Sequence, residues 1–98
     1  MKYIHVAIFK WKTGVTDERV DAALAEVRAL RTKIPGIEGI YCGTNQSKWA
    51  AGYTHVVVVV GDSAESISAY RDHPDHARVA SEIDAMEDHG IGVDFSDS

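Results

Sequence analysis

The sequence predicts an α+β domain: a four-stranded antiparallel sheet with helices on one face, in the ferredoxin-like order β-α-β-β-α-β. Three observations carry this. Alternating or β-branched runs at residues 3–11, 37–43, 53–60 and 91–95 read as strands. Apolar residues at helical spacing fill the segment after the first strand and the segment before the last. The 98 residues, 45% hydrophobic and 26% charged, suit one globular domain over 1–98, with no repeat, low-complexity segment or linker to mark a second.

The first strand puts Tyr3, His5, Ala7, Phe9 and Trp11 on one face and Ile4, Val6, Ile8 and Lys10 on the other. Thr13-Gly14 breaks it, and Thr16 caps a helix with Asp17 and Glu18 in its first turn. Val20, Ala23, Leu24, Val27, Leu30 and Ile34 form the apolar stripe, with Arg31 at its margin, and Pro35-Gly36 ends the helix. The second strand sets Ile37, Gly39 and Tyr41 against Glu38, Ile40 and Cys42, with Gly39 weakening it. Residues 44–52 form a polar loop, whose Trp49 is expected to pack down as a lid over apolar surface. In the third strand His55, Val57 and Val59 share one face, and Thr54, Val56, Val58 and Val60 the other.

Gly61-Asp62 ends that strand, and Ser63 caps a short helix over 64–70. Pro74, with a fixed φ and no N–H, suits the first turn of a further helix that runs to about residue 87. His73 takes its N-cap, and Asp72 and Asp75 suit its positive end. His89 falls in a loop before the last strand, and Ser96-Asp97-Ser98 is a polar tail.

A partner follows from the same alternation. The first and third strands should be central, and both are apolar on both faces, yet helices cover one face only. A lone chain would expose an aliphatic patch, which a twofold partner can cover with its own sheet. The prediction is a homodimer with Val6, Ile8, Val56 and Val58 at the interface. The net charge of −5, without a basic cluster, excludes nucleic acid as a partner. The longest apolar run, residues 56–60, is too short to span a bilayer, and no signal-peptide pattern opens the chain. The single cysteine, Cys42, makes no internal disulfide; it reads as a small apolar filler in a chain expected in the cytoplasm.

The stretch Tyr70-Arg71-Asp72-His73-Pro74-Asp75-His76 looks most like chemistry. On the helix after Pro74, His76 shares a face with Val79, Ile83 and Met86, so its imidazole should point inward. Tyr70 bears the same relation to Ile67. His5 and His55 lie on the strand faces that look back at the helices. Three histidines and a tyrosine are therefore expected to converge, with His76 suited to proton transfer and Tyr70 to orienting it or holding an oxyanion. A single inward histidine is more often a satisfied core residue, but several imidazoles around one space are costly to bury without use. Three histidines could also hold zinc; the close ligand spacings of such sites are absent, so no metal is expected.

With His5, the Gly52-Tyr53-Thr54-His55 stretch and Tyr70-x-x-His73-Pro74-x-His76 in hand, the chain resembles the stress-responsive dimeric α/β-barrel (Dabb) family. The resemblance runs from the Lys-Trp-Lys end of the first strand through Ile34-Pro35-Gly36 to Val93-Asp94-Phe95. It implies homodimers whose sheets form a barrel. Plant polyketide cyclases in the family close a linear thioester by an aldol condensation without a cofactor. By that resemblance His76 would be the general base, Tyr70 its partner, and His5 and His55 pocket histidines. The ligand-facing set would be completed by Ala7, Phe9, Val57, Val59 and Val79, with Leu24 and Val27 from the first helix, where the cyclases are more aromatic. The expected function is a cofactor-independent lyase, cyclase or isomerase acting on a polyketide-like carbonyl compound. The alternative is a non-catalytic dimeric stress-responsive or small-ligand-binding protein.

Overall fold

The computed structural model describes residues 2–97. Four strands, β1 (Lys2–Trp11), β2 (Ile37–Thr44), β3 (His55–Gly61) and β4 (Glu87–Asp97), form one sheet in the order β2-β3-β1-β4. Every pairing is antiparallel. Helices α1 (Asp17–Ala29), α2 (Ala64–Asp72) and α3 (Pro74–Met86) complete the ferredoxin-like α+β fold, and β1 and β3 are central as their sequences require.

Local chemistry sets the boundaries. The Thr16 hydroxyl accepts from the Arg19 N–H and caps α1, and Ser63 caps α2 in the same way through Ser66. His73 separates α2 from α3: its backbone is extended, and its Nδ1 accepts the Asp75 N–H at 3.1 Å. Pro74 then occupies the first turn, where its missing N–H costs nothing. The core forms between the helices and the odd-numbered face of β1 and β3, with Val20, Leu24, Leu30, Val59, Ile67 and Val79 at its centre. Cys42 is half-buried against this core and burial pushes its thiol up, the behaviour of a filler and not of a reactive thiolate.

Several boundaries differ from the sequence reading. The first helix ends at Ala29 and tightens into a 3-10 turn over Leu30–Thr32. A register shift between Ile37 and Gly39 leaves Glu38 exposed and turns both Ile37 and Ile40 inward, so β2 does not keep a simple alternation. Tyr53 lies outside β3, because its N–H bonds to the Ala50 carbonyl in the preceding turn. β4 starts at Glu87, directly after α3, where Lys12 N–H bonds to the Met86 carbonyl; His89 is therefore in the strand, bonded to the Tyr53 hydroxyl at 2.7 Å, and not in a loop. Trp49 does not pack down. The 45–54 segment folds on its own turn, with Ala51 at φ +54°, and leaves the Trp49 ring 81% exposed.

The face of the sheet away from the helices is apolar. The register aligns Ile4, Val6 and Ile8 with Val60, Val58 and Val56 on one side and with Phe95, Val93 and Ile91 on the other. Ile91, Val93 and Phe95 are 42%, 50% and 45% exposed in the single chain. That row is longer than the three valines and one isoleucine singled out from sequence, since β4 contributes as much as β3 does.

Candidate active site

A cavity of about 150 Å³ lies between the helices and the sheet, lined by His5, Ala7 and Phe9 of β1, Val57 of β3, Val27 of α1, Tyr70 of α2 and His76, Val79, Ala80, Ile83 and Asp84 of α3. Asp84 is exposed and marks the rim. The volume matches that of a benzene-sized group.

The Pro74 break aims two side chains at this cavity. Tyr70, at the end of α2, is 2% exposed, and His76, in the first turns of α3, is half-buried; their ring centroids stand 4.5 Å apart. His5 approaches the same tyrosine from the sheet, at 6.5 Å between centroids. His76 Nδ1 lies 3.1 Å from the Arg71 carbonyl oxygen. A carbonyl only accepts, so Nδ1 carries the hydrogen and Nε2 is the nitrogen left to a ligand. Burial pushes the His76 imidazole below its ordinary value, the bond to the Arg71 carbonyl opposes this, repulsion from Arg71 and from His5 when that ring is protonated adds to the lowering, and Asp84 opposes it. At neutral pH His76 is thus a neutral ring with a free Nε2 lone pair.

Tyr70 has the opposite character. Burial first, and the neighbouring Cys42 thiol second, push its hydroxyl up to about 12, against a smaller opposing effect of Arg71. It stays a phenol and acts as a donor. Among the described residues its hydroxyl makes no hydrogen bond, so the donor is available to whatever fills the cavity.

Sequence reasoning missed an ionic group behind His5. Asp94 sits opposite His5 in the β1–β4 register and accepts from His5 Nδ1 at 2.6 Å. Arg71 Nη2 donates to the other Asp94 oxygen at 2.5 Å and lies 3.0 Å from His5 Nδ1. Partial burial works to raise the Asp94 carboxyl, but the hydrogen bonds from His5 and Arg71 and their charges outweigh it and hold the carboxyl below its usual range. The strand alternation held the signal. Ile91, Val93 and Phe95 occupy one face of the last strand, which leaves Asp94 on the side of His5.

Three sequence-selected residues lie away from the cavity. His55 shares a face with Val57 but sits opposite Phe9, at the far end of β1 from His5. Its Nδ1 accepts the Trp11 indole N–H at 2.9 Å and lies 2.9 Å from the Thr54 hydroxyl, so it anchors the Phe9–Trp11 stack. Leu24 and Val59 are core residues, 2% and 0% exposed, and do not reach the cavity wall. Ala80, Ile83 and Asp84 take their place, because they lie four, seven and eight positions after His76, on the same face of α3. Among the described residues no group of three His, Cys, Asp or Glu side chains is placed to hold a metal, and no helix is long and apolar enough to cross a membrane.

The fold and cavity define a ferredoxin-like α+β domain with a small, partly open site between helices and sheet. The chain belongs to the Stress responsive A/B Barrel Domain family (Dabb), which matches residues 4–97. It is similar to olivetolic acid cyclase from Cannabis sativa, 31% identical over 74 residues that cover 74% of this chain and 73% of the cyclase. Among solved structures it resembles a dimeric ferredoxin-like protein of unknown function from Thermobifida fusca, 29% identical, with TM-score 0.85 over 98% of this chain and 91% of that one. The hydroxynitrile lyase of Passiflora edulis shares the fold, with TM-score 0.87 at 16% identity over 96% of this chain and 91% of that one.

Proposed function

We propose that this protein is a cofactor-independent enzyme that moves a proton on a small carbonyl compound, with His76 as base and Tyr70 as hydrogen-bond donor. One observation carries the reading. The His76 Nδ1–H is occupied by the Arg71 carbonyl, so a neutral imidazole offers Nε2 to a cavity that also contains the un-ionised Tyr70 hydroxyl. A base and an oxyanion donor are the two groups that enolisation needs. His76 Nε2 takes a proton from the carbon beside a carbonyl, the C–H electron pair becomes the enolate, and Tyr70 O–H holds the enolate oxygen. The enolate then bonds to a second carbonyl carbon, which is aldol-type ring closure, or recovers the proton elsewhere, which is isomerisation. In either case the proton on His76 returns to the product.

The family relationship to olivetolic acid cyclase supports a carbonyl substrate of the polyketide kind. The aliphatic wall of Ala7, Val27, Val57 and Val79 suits the hydrocarbon part of such a molecule, and the ring-sized cavity favours a short one. The working unit is a homodimer joined through the apolar sheet face, a reading supported by the exposure of Ile91, Val93 and Phe95 and by the dimeric Thermobifida fusca relative.

The test is proton exchange in deuterium oxide. A panel of short β-keto thioesters and 1,3-diketones is followed by NMR for loss of the acidic C–H signal. The wild-type protein is expected to accelerate exchange of at least one compound, and His76→Ala to slow it by on the order of a hundredfold while the dimer persists. Equal rates with wild type and His76→Ala across the panel would overturn the assignment. Tight binding without exchange would favour the non-catalytic ligand-binding reading.

A further inference from the structure

The geometry points to Arg71 as a positioning residue that fixes the proton on both cavity imidazoles, making His5 a second proton-accepting group beside His76. It rests on the proton-transfer reading of the cavity, but its core claim concerns hydrogen positions and can be tested without a substrate.

Arg71 touches the two rings by different routes. Its backbone carbonyl accepts from His76 Nδ1 at 3.1 Å. Its guanidinium reaches His5 through Asp94, with Nη2 2.5 Å from one carboxylate oxygen and His5 Nδ1 2.6 Å from the other. His5 Nδ1 also has Arg71 Nη2 at 3.0 Å, and a single ring nitrogen cannot both donate to the carboxylate and accept from the guanidinium. The chemistry of the three groups decides between these. An ionised carboxylate only accepts and a guanidinium only donates. Placing the hydrogen on His5 Nδ1 gives each carboxylate oxygen one donor. Placing it on Nε2 would set the Nδ1 lone pair against a carboxylate oxygen at 2.6 Å.

His5 is therefore held as the Nδ1–H tautomer, like His76, and its Nε2 carries a lone pair. Both rings stand near Tyr70, with centroids 6.5 and 4.5 Å from it. A ligand in the cavity meets two acceptors and one donor. One imidazole can then take the proton released in ring closure and return it to the product oxygen, while the other takes the second, as ring closure followed by loss of a further proton requires. The positive charge of Arg71 offsets that of the Asp94 carboxylate, so the carboxylate orients the ring without leaving the site with an unbalanced negative charge. The carbonyl route is available to any residue at this position. The guanidinium route belongs to the side chain: Nη2, from a half-exposed position on α2, holds one Asp94 oxygen and so keeps the other facing His5, a task a lysine ammonium can do in part.

The experiment is long-range ¹H–¹⁵N NMR of the imidazoles in uniformly labelled protein above neutral pH, for wild type, Arg71→Leu and Arg71→Lys. In the wild type both His5 and His76 should show the Nδ1–H pattern. Arg71→Leu, which keeps the carbonyl and loses the guanidinium, should shift His5 to a mixture of tautomers and leave His76 unchanged; Arg71→Lys should partly restore His5. An Nε2–H pattern for wild-type His5, or a His5 pattern indifferent to Arg71→Leu, would overturn the assignment. If exchange activity is found, Arg71→Leu, which frees the Asp94 carboxylate to turn away from His5, should lower kcat by at least about tenfold with little change in KM; an unchanged kcat would remove His5 from the chemistry. Absence of activity in every variant, with the tautomers as stated, would count against the enzyme reading and leave the positioning role of Arg71 standing.

Discussion

The rings of Tyr70 and His76 stand 4.5 Å apart and tilted by 56°, although a helix ends and another begins between them. Pro74 makes this possible. A continuous helix would place residues six apart on different faces, whereas the extended His73 backbone redirects the chain and turns both side chains to one cavity. The pairing has a chemical consequence: the imidazole is left neutral by burial, and the phenol is left un-ionised by the same burial.

The Tyr70 hydroxyl should matter to function and hardly at all to folding. It has no hydrogen-bond partner among the described residues, so Tyr70→Phe strands no donor or acceptor. Stability by urea unfolding should change by no more than about 1 kcal/mol. The rate of proton exchange on a substrate should fall by on the order of a hundredfold, as when an oxyanion donor is removed. A large loss of stability with unaltered turnover would assign Tyr70 to the core alone.

Acidification should weaken the fold through His76. Its folded value lies below the ordinary 6.5, so between the two the unfolded chain binds more protons than the folded one. The contribution of the neutral ring is complete above the unfolded value and is lost as pH falls through the folded value. Urea midpoints measured from about pH 7.5 downward should therefore decline in this window, and His76→Gln should flatten the decline. Asp94 acts in a separate window. Its folded carboxyl is held low, so its contribution is lost only at more acidic pH, below the ordinary carboxylate value.

Much of the fold was legible because it rests on local rules. Thr16, Ser63 and His73 announce helix starts, and the two-faced apolarity of residues 4–8 and 56–60 makes their strands central. Tyr70 and His76 were legible for the same reason, as helical spacing fixes their direction. His55 was not, because period-two alternation gives the face of a side chain but not its position along the strand. Only the register, which sets His55 opposite Phe9, shows that it meets Trp11 and not the cavity. For the Arg71–Asp94–His5 group, alternation gives the face of Asp94, but setting it opposite His5 needs the pairing of the first strand with the last, across 89 residues, which no local pattern contains. Trp49 was misread because a tryptophan's preference for burial cannot overrule a loop whose turn directs it outward.

Gly36 should resist substitution for two reasons at once. Its φ is +84°, a conformation that strains any side chain, and an added Cβ would sit 2.2 Å from the Ser66 hydroxyl and 2.8 Å from the Ser66 Cβ. The same site carries the bond from Asp62 N–H to the Gly36 carbonyl that ties the start of β2 to the end of β3. Gly36→Ala should lower stability by about 1–3 kcal/mol in chemical denaturation. A neutral result would show that the turn relaxes around the new methyl group.

The apolar sheet face makes the oligomeric state testable with single charges. Val6 and Val58 are directly paired on that face, flanked by Val93 of β4, which is half-exposed in the single chain. At micromolar concentration the wild type should scatter light as twice the 10.7 kDa chain mass. A carboxylate at either valine would be desolvated against a second copy of the same aliphatic patch, without a partner charge, which costs several kcal/mol. Val6→Asp and Val58→Asp should therefore run as monomers, while their far-UV circular dichroism stays that of the wild type, because neither side chain belongs to the core under the helices. Lys48→Asp, on the exposed loop and away from the face, is the control that should remain dimeric. A wild type at monomer mass, or dimers that tolerate both carboxylates, would mean that something other than a second copy covers this face.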